Sequence, residues 1–106
     1  MNLEKNMPTV DHALDLLEQE VRMAPGLGYR VLVLIHGYGS SGKGGAIKNA
    51  VHRRLAYLRD KGAINDFLAG EDCRKHSGHA RHLLRRFPFL GEYMQHPNPG
   101  ISLLVI

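Results

Sequence analysis

The stretch His36-Gly37-Tyr38-Gly39-Ser40-Ser41-Gly42-Lys43-Gly44-Gly45 concentrates most of the chemistry of this chain. Its glycines allow positive φ and let successive backbone N–H groups converge on one point, while Lys43 adds a mobile cation there. A segment of that kind holds a phosphate or another oxyanion. His36, at its head, titrates near neutral pH and suits proton transfer, phosphate contact or the shaping of the turn. Tyr38 offers a ring on which a base can stack.

Two familiar motifs fail for want of their other parts. Gly37 to Lys43 fits the start of a P-loop, GxxxxGK, but the next position should hold Mg²⁺ through a Ser or Thr hydroxyl and is Gly44. The run Val33-Leu34-Ile35-His36-Gly37 looks like the oxyanion segment of an α/β-hydrolase, yet no GxSxG nucleophile elbow follows. Cys73, His76, His79 and His82 recur at intervals of three, which could gather a soft metal. Arg74, Lys75 and Arg81 crowd that stretch with positive charge, so a basic surface is expected there and neither a metal site nor a cofactor.

The elements that must position these residues follow from periodicity. Leu3 to Asn6 reads as a short edge strand. Thr9 can cap a helix whose apolar positions Val10, Ala13, Leu14, Leu17, Val21 and Ala24 have helical spacing, and Pro25-Gly26 stops it. Val31-Leu32-Val33-Leu34-Ile35 has the continuous apolar run of a strand buried on both faces, which would deliver His36 to the sheet edge. From Ala46 to Lys61, Ile47, Ala50, Val51, Leu55 and Leu58 form one stripe, and Lys48, His52 and Arg59 fall on another with Arg53 beside them. Ile64 to Leu68 and Ile101 to Ile106 read as further strands, the last an interior one. Ser77 to Phe87 predicts a short helix docked through Leu83, Leu84 and Phe87.

The segment from Val33 to Val51 resembles the HGxG strand, turn and helix of the Smr domain, the small MutS-related family. Thr9-Val10-Asp11-His12-Ala13-Leu14 is similar to that family's helix start, and Gly100 to Ile106 to its closing strand. The resemblance implies an α/β fold: a two-layer sandwich, a four-stranded mixed sheet with two main helices on one face, similar to the C-terminal domain of bacterial translation initiation factor three. It implies a single domain over 1–106 with a longer connection at about 70–99. The family includes DNA-nicking and RNA-cleaving endonucleases and members that bind nucleic acid. Active members carry LDxH before the first helix, and the corresponding residues here are Leu3-Glu4-Lys5-Asn6. Glu4 keeps a carboxylate, but Asn6 cannot accept and return a proton.

Charge agrees with an anionic partner. The chain is +4 overall, but residues 30 to 61 carry seven basic side chains against one acidic, whereas residues 1 to 29 carry two against five. The expected function is nucleic-acid binding, DNA or RNA, through Gly37, Tyr38, Gly39, Ser40, Ser41, Gly42, Lys43, Lys48, His52, Arg53 and Arg59. A nuclease would use His36 and Glu4 as acid/base groups, with a divalent cation joining only in that case. A protein-interaction module docking through Cys73 to Pro99 is the remaining reading. The longest aliphatic run is far short of the ~20 residues a membrane helix needs, and the N-terminal residues lack a signal-peptide core. With a single Cys, these features predict a cytoplasmic protein without membrane contact.

Overall fold

The computed structural model describes residues 1–3, 9–37, 44–74 and 77–106. Helix α1 spans Val10–Met23, with the Thr9 hydroxyl accepting a hydrogen bond from the His12 N–H at 3.1 Å, a cap of about 1 kcal/mol. Ala13, Leu17 and Val21 form its buried stripe. A 3-10 turn at Pro25–Leu27 ends it, and Gly28 takes φ +81°, a left-handed value that favours glycine. Strand β1 (Val31–Ile35) follows, then helix α2 (Gly44–Asp60), which starts two residues before the position its apolar pattern suggests.

Strand β2 (Asp66–Ala69), helix α3 (Gly78–Arg86), the short helix α4 (Gly91–Gln95) and strand β3 (Ile101–Val105) complete the described elements. The sheet order is β1-β3-β2, and both pairings are antiparallel. The last strand in sequence is therefore the central one. All five of its residues are buried, as its apolar density predicts. β1 is buried less completely than its unbroken run of aliphatics suggests, and Ile35 is exposed.

Among the described residues the sheet has three antiparallel strands, and the expected fourth strand, Leu3 to Asn6, lies outside them beyond Leu3. Just before it, one parallel bridge joins Asn2 to Ile35, closed by hydrogen bonds from Leu3 N to the Ile35 carbonyl and from Ile35 N to the Met1 carbonyl. Glu4, Lys5 and Asn6 lie outside the described residues.

The two main helices, α1 and α2, do share one face, but the two-layer sandwich is corrected to three layers. On one face Leu34 and Leu104 pack with α1 and α2; on the other Leu68, Ile101, Leu103 and Val105 pack with Ala80, Leu83, Phe87, Leu90 and Met94 of the α3–α4 segment. Helices therefore cover both sides of the sheet. The cause is strand parity, since Ile101, Leu103 and Val105 of β3 form one apolar set while Leu104 and the buried Ser102 point the other way, and neither side is left in water.

Candidate functional site

His36 continues the parity of Leu32 and Leu34 beyond the end of β1, so it faces the α1–α2 side of the sheet. The backbone holds it there: the N–H groups of His36 and Gly37 both donate to the Gly100 carbonyl at 3.0 Å. Gly37 has φ +75°, so the chain leaves the strand through a conformation that a side chain would strain. Register places Ser102 of β3 opposite Leu34 of β1 and Ala69 of β2.

Three polar side chains meet in this otherwise apolar layer. The Ser102 hydroxyl lies 2.8 Å from His36 Nε2 and 2.9 Å from His52 Nε2, and the two rings meet edge to face at 5.4 Å. His36 Nδ1 lies 2.6 Å from the Gly37 carbonyl, which can only accept, so that nitrogen carries the proton. In the neutral ring Nε2 then accepts from the Ser102 hydroxyl. Ser102 Oγ in turn accepts from His52 Nε2–H, which leaves the lone pair of His52 on Nδ1.

Burial divides the roles of the two imidazoles. His36 and Ser102 are wholly buried, whereas His52 is half-buried. Burial is the main cause that lowers the His52 pKa from its ordinary value, with His36 and Lys48 acting in the same direction and Glu71 and Asp72 opposing them. A neutral His52 is therefore favoured near neutral pH.

The stripe of α2 that carries His52 faces β2 and the 3-10 turn at Gly70–Asp72. Lys48, one turn before His52, forms an ion pair with Glu71 of that turn. Arg59, two turns after it, lies 4.0 Å from Asp66 and stands 4.9 Å over the Phe67 ring. His79 of α3 also reaches Asp66, at 2.6 Å. Arg53 is exposed on a different side of the helix.

The structure thus brings together His36, His52 and Lys48 from the sequence-predicted set, but gives Arg53 a separate surface. Gly37 stands at the head of the turn; Glu4, Tyr38, Gly39, Ser40, Ser41, Gly42 and Lys43 lie outside the described residues. Sequence reasoning missed Ser102, Glu71 and Asp66. A signal for Ser102 existed, because one hydroxyl inside the buried run Ile101 to Ile106 must find a polar partner. Cys73 is buried against the second core, with its thiol on the Ala69 carbonyl, and burial pushes its pKa up to about 11. It is an inert thiol at neutral pH.

An outer strand, β1, that ends at a left-handed glycine, then a long basic helix, with a buried imidazole at the junction and the last strand at the sheet centre, defines a small α/β domain. The Smr domain family matches residues 5–81, most of the chain, and the protein belongs to that family. No curated protein and no solved structure matches the chain. Among the described residues no helix is long and apolar enough to cross a membrane.

Proposed function

We propose that this chain is a nucleic-acid-binding Smr domain. A phosphate is held where β1 gives way to α2, by Gly37, Tyr38, Gly39, Ser40, Ser41, Gly42 and Lys43, with Lys48 and His52 one and two turns into the helix. The observation that carries this reading is the junction itself: Gly37 in a left-handed conformation at the end of β1, and beyond the glycine segment a 17-residue helix with no acidic residue in its first turn. The open N–H groups and dipole of a helix start favour an anion, and membership of the Smr family supports a nucleic acid as its source.

Binding should weaken with salt, with a log-log slope of about 0.9 per phosphate neutralised on duplex DNA and about 0.7 on single strands. Lys43→Ala is expected to reduce that slope by about one phosphate. Affinity that stays flat between low and moderate salt, or that is unchanged in Lys43→Ala, rules the reading out.

A second reading, an endonuclease, draws on the His36–Ser102–His52 chain. Two imidazoles sharing one hydroxyl can pass a proton between a half-buried group and a buried one. His36 and Glu4 are the acid/base candidates inherited from the sequence. His52, being nearer to solvent, is the imidazole of the chain better placed to meet a substrate. Cleavage of labelled RNA and nicking of plasmid DNA, each compared with His36→Ala and His52→Ala, decide it. Products that persist undiminished in both variants assign the activity to a contaminant.

A further inference from the structure

The cations of α2 fall into two groups with different surroundings. Lys48 and Arg59 face acids of the Gly70–Asp72 turn and β2, and His52 is tied to Ser102. On another side of the helix, Arg53 is exposed and makes no ion pair among the described residues, and Tyr57, one turn later, is 57% exposed. One turn further again, the Lys61 ammonium stands 5.2 Å from the Tyr57 ring centre. The row Arg53, Tyr57, Lys61 is thus cation, ring, cation at the i, i+4 spacing that puts side chains on one face.

Beside this row runs a groove of about 300 Å³ between α1 and α2, lined by Val10, Leu14, Ala50, Arg53, Arg54 and Tyr57. Its floor is aliphatic, and Arg54 is braced by Glu18 of α1. A large ring exposed to water over an apolar floor, with guanidinium and ammonium groups around it, has the composition of a platform for a base and its phosphates. We propose that this groove binds a segment of single-stranded nucleic acid, with a base stacked on Tyr57 and the adjoining phosphates on Arg53 and Lys61.

The charge of α1 favours a single strand over a duplex. Asp11 and Asp15 follow the lining residues Val10 and Leu14 in sequence and are exposed on α1. One backbone laid along α2 meets Arg53 and Lys61, with Asp60 at the helix end the one acid of that element. A duplex would bring its second backbone against the carboxylates of α1, where like charges repel.

This inference rests on the reading that the domain binds nucleic acid, and its test separates the two. Anisotropy of fluorescein-labelled oligouridylate and oligothymidylate, with a duplex of equal length as comparison, is measured for the wild type, Tyr57→Ala, Tyr57→Trp, Arg53→Ala and Lys43→Ala. Tyr57→Ala is expected to weaken single-strand binding about tenfold, and Tyr57→Trp to preserve it. Arg53→Ala should weaken it and lower the salt slope by about 0.7. The RNA and DNA arms report which sugar the groove accepts, and a loss in Tyr57→Ala on either supports it. Full affinity in Tyr57→Ala together with loss in Lys43→Ala overturns the groove and leaves the glycine segment as the site. A duplex bound as tightly as the single strand overturns the selectivity, and a wild type that binds none of the three overturns groove and function together.

Discussion

Ser102 connects the two imidazoles, and its hydroxyl explains why they can sit in an apolar layer. Ser102→Ala removes the hydroxyl that bonds both His36 Nε2 and His52 Nε2, at a wholly buried position. The expected cost is about 1–3 kcal/mol, read as a shift of the urea unfolding midpoint. His52 also makes stability depend on pH. Because its folded pKa lies below its unfolded value of about 6.5, the folded state disfavours the proton; its contribution is intact above that pH and is lost as pH falls through the folded pKa. Unfolding midpoints measured from pH 7.5 to 5, roughly the span over which a histidine titrates, should fall less steeply for His52→Asn than for the wild type. A parallel pair of curves excludes His52 as the source. His36 was legible from the sequence because a histidine at the seam of strand and glycine turn is conspicuous. Its bond to Ser102 was not, since it joins residues 66 positions apart and depends on antiparallel register.

At the level of elements, the sequence marked the start of α1, the basic helix and the interior character of β3, because each is encoded by local spacing. It did not divide the basic helix into an inward and an outward group. Lys48, His52 and Arg59 share a stripe on any helical wheel, but whether that stripe faces water depends on where Glu71 and Asp66 arrive, and these belong to other elements. Those elements are joined to β3 through a close approach at Gly70. A Cβ built there collides with the Asn98 carbonyl oxygen and lies 2.7 Å from the Ile101 carbonyl oxygen, both of them backbone atoms that cannot rotate away. Gly70→Ala is therefore expected to separate the Gly70–Asp72 turn from the start of β3. It should destabilise the fold by about 1–3 kcal/mol, as overpacking does, and loosen Glu71 from Lys48. Thermal unfolding reads the first effect. The chemical shift of the Lys48 side-chain ammonium reads the second, and a variant as stable as the wild type would mean that the backbone has room to give.

Considered as a whole, the molecule has two cores with one sheet between them, and β3 supplies both. Leu104 belongs to the core shared with α1 and α2, whereas Leu103 belongs to the core under α3 and α4, and both are wholly buried. This second core was the least legible part of the fold. Its helices lie in a stretch rich in Arg and His, where Leu83, Leu84 and Phe87 marked one docked helix, and α3 docks through them; α4 and the strand face that both cover had no such local signal. The family match ends at residue 81, inside α3, although the strand that closes both sheet ladders lies at Ile101–Val105. A layer that hangs on the central strand should unfold with the rest rather than separately. Leu103→Ala and Leu104→Ala are each expected to cost about 2–5 kcal/mol, the range for deleting a buried leucine. Each should lower a single transition seen alike by far-ultraviolet circular dichroism and by the ring signals of Phe87 in the second core. Should Leu103→Ala release Phe87 at lower denaturant while the helical signal of α1 and α2 persists, the α3–α4 layer is an appendage with its own stability, and the sheet is covered on that face by a separable unit.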